Sequence, residues 1–291
     1  MTAFGRARGK SGKRLNRSIA GDVFLLVFLL LIGVFMVLPF VYSLLMSLKP
    51  MEELYLFPPR FFVRRPTADN FFDLSKLVNN MWVPFGRYLL NSFMISVCVT
   101  VGNVLIASAA AFPLAKGNFP GRKAVSEIVV VALLFTSSVT GIMQYVLMAK
   151  AGMIDTFFPL VLPYISTPLG VFLMRQFMVS LPDSLIEAAK IDGAGYVTTW
   201  WRVVMPNVRP AWLTLTVFAF QTSWAVTGGN MIFSESLKPL PTLLNQIASS
   251  GIGRAGAGAA AAVIMMIPPI LIFLFVQSNI IETMAHSGIK E

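Results

Sequence analysis

The chain is short of charge and nearly devoid of the side chains on which metal and redox sites are built. Only 12% of its 291 residues are Asp, Glu, Lys or Arg, half of the roughly 25% usual in soluble domains. A water-soluble globule is therefore not the expectation. The chain has one cysteine, Cys98, and one histidine, His286. A lone cysteine closes no intrachain disulfide and leaves the redox compartment unread. One His with one Cys does not make an ordinary zinc site. The pattern offers no nucleophile–base pair, carboxylate dyad or metal cluster, which argues against an enzyme and against a metal or cofactor bound by this chain itself.

What the chain has instead is apolar length. Hydrophobic residues make up 56% of it, and mean hydropathy is +0.74. The length would accommodate two domains, but the charges gather in clusters between charge-free runs at 23–48, 88–115, 128–149, 156–174, 210–234 and 255–281, each at least 19 residues long. About 20 apolar residues suffice for one helix to cross a bilayer. The expected fold class is all-α: a single membrane domain over 23–281 with six transmembrane helices.

Basic residues outnumber acidic ones, 23 to 13, for a net charge of +10. In a soluble protein that excess would suggest nucleic acid. Here Arg6, Arg8, Lys10, Lys13, Arg14 and Arg17 all precede the first acid, Asp22, and the better reading is a topology signal with no nucleic-acid partner. The tail 1–22 is then cytoplasmic, and six spans return the tail 282–291 to the same side. Inside segments carry 14 basic residues and outside segments 9, with 6 of the 9 in the long 49–87 loop, where the rule counts charge for less. A cleaved signal peptide is the competing reading of the N-terminus, but its apolar core would be about 7–15 residues with a small-residue cleavage site. The stretch Gly5-Arg6-Ala7-Arg8-Gly9-Lys10-Ser11 misses the Walker A spacing, with three residues between its glycines instead of four. It lacks the flanking strand and helix and reads as a basic tail near anionic lipid.

Pro163 and Pro168 are expected to interrupt the fourth run and Pro268–Pro269 the sixth, since proline removes a backbone hydrogen bond that lipid cannot replace. Small residues at 107–111 and 256–262 suit close helix packing. Together these features suggest a tight bundle that can bend.

The segment 176–207, between the fourth and fifth runs, is the informative loop. Ser180 or Asp183 can cap a helix with Pro182 in its first turn, and Ser184 to Lys190 are good helix formers. Gly193 and Gly195 break that helix. A second one, 196–204, is expected to stop before Pro206. The result is a helix–turn–helix with Ala188 and Ala189 as a flat face and Glu187 and Asp192 as negative charge beside it.

This segment resembles the EAA motif of ABC-importer permeases, EAA-x3-G-x9-I-x-L-P. Here it reads Glu187-Ala188-Ala189, then Gly193, then Val203, Met205 and Pro206, with Val for Ile and Met for Leu. Asn91-Ser92, AAFPLAKGNFPGRKA, SLKPMEELY, Ser223-Trp224 and Gln277 look like the carbohydrate-uptake branch. The end, MAHSGIKE, is similar to the Gly-x-Lys tail of maltose-type permeases, although it departs from their usual Gly-Ala-Val-Lys-Gly.

The resemblance implies a bacterial or archaeal inner-membrane subunit. It implies pairing with a second homologous permease, two ATPase subunits that bind ATP and Mg2+, and an extracytoplasmic solute-binding protein. It also implies that Glu187, Ala188, Ala189, Asp192, Gly193 and Pro206 form a coupling helix seated in an ATPase cleft. The solute would be a sugar or oligosaccharide.

Aromatic faces and amide or hydroxyl groups recognise sugars, so Thr140, Gln144 and Tyr145 in the third run and Gln221, Trp224 and Asn230 in the fifth are candidates for the substrate path. They read equally as helix–helix hydrogen bonding or interfacial anchoring. The loop 49–87, with Arg60, Arg64 and Arg65 beside Phe57, Phe61, Phe62, Phe71 and Phe72, is expected to contact the binding protein or the partner permease, or to lie on the membrane surface. Three alternatives stand beside this reading: an importer of the same architecture for a non-sugar solute, an ion-coupled secondary transporter, and a membrane-bound enzyme. The spans hold no charged residue, which leaves the secondary transporter without a proton relay.

Overall fold

The computed structural model describes residues 19–79, 82–135 and 137–287. The basic tail through Arg17, with its near-Walker stretch, and the terminal Gly288 and Lys290 lie outside the described residues. Among the described residues the secondary structure is helical throughout, with no strand.

α1 (Ile19–Ser47) is a single long helix whose leucine and phenylalanine side chains from Phe24 to Leu44 are exposed all round. A helix with no polar face needs an apolar solvent. α2 (Asp69–Asn79) lies in the loop that follows. Its Asn70 is buried, and Nδ2 donates to the carbonyls of Ser47 (2.8 Å) and Lys49 (2.7 Å), tying off the end of α1.

α3 (Phe85–Lys116) is the axis of the molecule and packs against α6 (Pro168–Val179) and α9 (Arg209–Trp224). The small residues serve as expected. Ala107 and Ala111 of α3 are fully buried, and Gly170 of α6 approaches so closely that a Cβ there would meet Asn103 Oδ1 at 2.6 Å and Ala107 Cβ at 3.1 Å. Close backbone contact recovers the dispersion that apolar lipid cannot otherwise supply.

The third and fourth charge-free runs are not continuous helices. The third is divided into α4 (Arg122–Ala132) and α5 (Ser137–Lys150). α4 tightens at its end through i→i−3 bonds from Leu133, Leu134 and Phe135. The fourth opens with one helical turn, Phe158–Val161, and becomes regular only at Pro168, where the Thr167 hydroxyl accepts from Gly170 N (3.2 Å). Pro168 at N1 needs no intrahelical partner. The fifth run is helical only as far as Trp224, and an irregular segment leads to α10 (Leu240–Ala248). The Ser92 hydroxyl accepts from Leu240 N (2.7 Å), while Asn91 Nδ2 donates to the carbonyls of Ser236 (2.8 Å) and Lys238 (3.1 Å). Those two residues therefore seat α10 on the start of α3.

α11 (Ala255–Ser287) corrects one expectation, because Pro268 and Pro269 lie inside an unbroken helix. Pro269 has no N–H for the carbonyl of Met265, four residues back. That carbonyl accepts instead from the Trp224 indole Nε1 of α9 (3.1 Å), so a neighbouring helix satisfies the acceptor that Pro269 leaves open.

By length and composition three helices are able to cross a membrane, Ala20–Ser47, Phe85–Lys116 and Ala255–Gln277, or up to five if each of two bent helix pairs is one span.

Candidate functional site

The first bent pair joins α6 to α7 (Asp183–Ile191) at 81°, and the second joins α8 (Tyr196–Asn207) to α9 at 84°. α7 and α8 form a knuckle lying across the bundle axis. α7 starts after Pro182, but no side chain caps it. The Ser180 hydroxyl donates to Phe177 O (2.8 Å), and the Asp183 carboxylate accepts from Lys116 Nζ (2.7 Å). The capping role expected of these two residues is thus spent elsewhere. The Lys116 hydrogen bond, and then its charge, hold the Asp183 carboxyl below the usual carboxylate range.

α7 ends in a Schellman turn. Ala194 N donates to Ala189 O (2.9 Å) and Gly193 N to Lys190 O (3.0 Å), with Gly193 at φ +78°. Glycine takes this left-handed conformation without a Cβ penalty. Glu187, Ala188, Asp192 and Gly193 are exposed on the knuckle, whereas Ile186 and Ala189 are buried. The two alanines of the motif are therefore divided. Ala188 faces outward, and Ala189 is turned inward and buried.

The second helix of the knuckle does not stop before Pro206. It runs on to Asn207 because its middle, Thr199–Val204, is a π-helix in which Met205 N reaches back to Trp200 O. The wider turn lets the proline ring clear the preceding carbonyls. The Met205 carbonyl, freed by the bend at Val208, accepts from Trp212 Nε1 (3.2 Å). Pro206 itself is exposed.

A second feature lies where the regular helices fail. α5 contributes Gly141, Gln144 and Tyr145 to a cavity of about 620 Å3. The broken start of the fourth run adds Pro159, Leu160 and Tyr164, and the segment after α9 adds Thr227, Gly228, Gly229, Asn230 and Phe233. Its size is that of an ordinary small-molecule site, and no charged residue lines it. Irregular backbone at membrane depth is tolerated only where it is buried or lines a cavity.

Asp155, at φ +60°, fixes one wall. Its carboxylate accepts from Phe233 N (2.9 Å), Ser234 N (2.7 Å) and the Ser234 hydroxyl. The Ser234 side chain, then its backbone N–H, hold the Asp155 carboxyl below its ordinary value.

Of the six residues considered for a substrate path, the structure brings Gln144, Tyr145 and Asn230 together in this cavity. Thr140 precedes the lining Gly141 on α5 but is not part of the wall, and Gln221 is exposed on α9. Trp224 is buried, stacks on Phe220 with ring centroids 5.8 Å apart, and donates to Met265 O. It is a structural residue rather than a lining one. Tyr164 and Thr227 were missed. Tyr164 stands between Pro163 and Pro168, and that interrupted stretch was the available signal.

Residues 102–286 match the family described as the binding-protein-dependent transport system inner membrane component. The chain is 29% identical, over 72% of its length and 76% of the relative's, to the sn-glycerol-3-phosphate transport system permease protein UgpE of Yersinia pestis. It is 24% identical, over 95% of its length and all of the relative's, to the diacetylchitobiose uptake system permease protein DasC of Streptomyces coelicolor. It is 25% identical, over 91% and 95%, to the arabinooligosaccharides transport system permease protein AraQ of Bacillus subtilis. Its fold is that of a chain of a bacterial ABC transporter involved in import of the acidic polysaccharide alginate, with a TM-score of 0.74 at 21% identity over 91% of this chain and 99% of that one. The chain belongs to the family of binding-protein-dependent transport system inner membrane components, and is a membrane permease subunit of that kind.

Proposed function

We propose that this permease is one of two homologous membrane subunits of an ATP-driven importer for a sugar or oligosaccharide, and that the knuckle α7–Gly193–α8 is its coupling element. In this reading the chain makes six crossings with both termini cytoplasmic, and the broken third and fourth runs each count as one. Two ATPase subunits, which bind ATP and Mg2+, take the knuckle into a cleft. An extracytoplasmic binding protein delivers the solute from the other side. The observation that carries the proposal is the pair of near-right-angle bends, 81° and 84°. They turn the exposed Glu187, Ala188, Asp192 and Gly193 away from the bundle on a closed Schellman turn.

A membrane bundle that alternates between two states needs an input acting differently on each. A rigid element pushed by a separate motor supplies that input. Glu187 is the polar contact, Ala188 allows close approach, and Pro206 with the π turn sets the angle at which α8 returns to the membrane. The cavity then belongs to the translocation path, where Gln144 and Asn230 offer amide hydrogen bonds, and Tyr145 and Tyr164 offer aromatic faces, to a hydroxyl-rich solute. Its uncharged lining suits a neutral sugar better than an anionic one.

Two measurements test this reading. Glu187→Lys should leave the chain inserted yet abolish ATP-dependent uptake in proteoliposomes containing the purified complex. Undiminished uptake refutes the coupling role. Uptake of labelled diacetylchitobiose, arabino-oligosaccharides and glycerol 3-phosphate should select a neutral sugar and fall in Gln144→Ala and Asn230→Ala. Uptake by this chain alone in liposomes, without ATPase, would establish a secondary transporter instead.

A further inference from the structure

The C-terminal end of α3 and the start of α7 are far apart in sequence but are held by one buried cation. Lys116, the last residue of α3, has a side chain only 9% exposed. Its ammonium donates to Leu181 O (2.5 Å), to Val179 O (3.4 Å) and to Asp183 Oδ1 (2.7 Å). An ammonium has three donors, and here each has an acceptor. The two carbonyls lie at the end of α6 and in the bend, where a helix terminus leaves carbonyls without intrahelical partners and a cation is favoured. The third acceptor is on the first residue of α7.

A second cation completes the joint from the other direction. The Arg122 guanidinium of α4 donates to three carbonyls at the end of α3: Leu114 (2.9 Å), Ala115 (2.6 Å) and Gly117 (2.9 Å). Arg175 Nε of α6 adds a bond to Leu114 O (3.3 Å). Beneath these polar bonds, Ile186 of α7 is buried in the same cluster as Ala115, Met178 and Val208. On the α8 side, Tyr196 packs on Phe112 of α3 with ring centroids 4.7 Å apart.

We infer that Lys116, through Asp183 and the carbonyls of the α6–α7 bend, is the positioning residue that makes α7 and the end of α3 move as one body, so that displacement of the knuckle is delivered to the central helix. This rests on the coupling role proposed above and adds the route by which a push on α7 reaches the bundle. The peptide link runs from α7 to α6 and, through α8, to α9. The Lys116 joint carries the motion to α3, against which both of those helices pack. With the joint cut, the ATPase subunits close without moving α3, and hydrolysis escapes control by the binding protein.

The test uses the complex purified from its own membranes through a tag on this chain, reconstituted in liposomes, with ATP as the probe. Lys116→Met and Asp183→Ala should each raise ATP hydrolysis in the absence of binding protein about fivefold, the scale set by loss of one ordinary net hydrogen bond, because solvent screens the exposed Asp183. Lys116→Arg, which keeps the charge and the donors, should stay within about twofold of wild type. Asp183 is 78% exposed, so its alanine variant remains informative should Lys116→Met fail to fold.

Unchanged basal hydrolysis in an intact Asp183→Ala complex overturns the inference. So does loss of the ATPase subunits from that complex, since a docking contact would then have been removed rather than a transmitting one. If the wild-type chain brings no ATPase with it, the proposed function itself fails, independently of Lys116.

Discussion

Gly193 allows strain within the chain to be separated from contact with a partner. It sits at φ +78° with nothing within 4 Å of where a Cβ would be. Any L-residue there pays for the left-handed conformation, about 1 kcal/mol, which is roughly fivefold in the equilibrium of the turn. Asparagine, which tolerates this region, should pay less. Because the space around the Cβ is open and Gly193 is exposed, side-chain bulk is expected to project into solvent rather than against the chain. The melting temperature of the isolated chain in detergent should therefore fall by a few degrees, equally, for Gly193→Ala and Gly193→Phe, and less for Gly193→Asn. In the reconstituted complex the two should part, with Ala retaining measurable ATP-dependent uptake and Phe abolishing it, because a cleft closed over the knuckle has no room for the ring. The assays are thermal melting of the purified chain and uptake by the complex. A larger melting shift for Phe than for Ala would refute the open geometry. Equal uptake by the two would refute a partner seated on this turn.

Three further outcomes are expected. Trp224→Phe keeps the stack on Phe220 but leaves the Met265 carbonyl without its donor, which should destabilise the chain by about 1–3 kcal/mol; unchanged detergent melting would contradict the account of the unbroken α11. Gly256→Ala would place a Cβ 2.0 Å from Asn70 Oδ1, displacing Asn70 from the Ser47 and Lys49 carbonyls at about 1 kcal/mol per bond, whereas Gly33→Ala in open helix should stabilise by about 0.5–1 kcal/mol, so a melting comparison of the two should show opposite signs. The Asp155 carboxyl, held low by Ser234, stabilises its loop while ionised; its contribution is complete above the ordinary Asp value of about 3.9 and is lost as pH falls through the lowered native value, so hydrogen-exchange protection of the Phe233 and Ser234 amides should be constant from about pH 5 to 8 and disappear only in stronger acid.

Much of the molecule was legible in composition and spacing. The six charge-free runs follow from the cost of placing charge in hydrocarbon, and small residues at 107–111 mark the close contact of α3 and α6 because any larger side chain would separate the backbones. The turn at Gly193 was readable because only glycine takes positive φ cheaply. The continuity of α11 through two prolines was not, since the donor that replaces the missing N–H is Trp224, 41 residues away in sequence. For the same reason the sequence leaves Trp224 open between a sugar-facing aromatic and a helix–helix donor, and its bond to Met265 O is visible only in the fold.

The sequence alone thus determined that this chain lives in a membrane, that its helices pack closely, and that a charged, glycine-terminated knuckle joins the fourth and fifth apolar runs. These are local matters, set by transfer free energy and by backbone preference residue by residue. The tertiary structure decided which polar groups are already satisfied and which are free to act. It moved Ala189 inward, carried α8 past Pro206, gathered Gln144, Tyr145 and Asn230 around one cavity with Tyr164, and joined Lys116 to Asp183 across 67 residues. A hydrogen-bond partner distant in sequence leaves no periodic trace, so these assignments depend on how the helices are arranged in space.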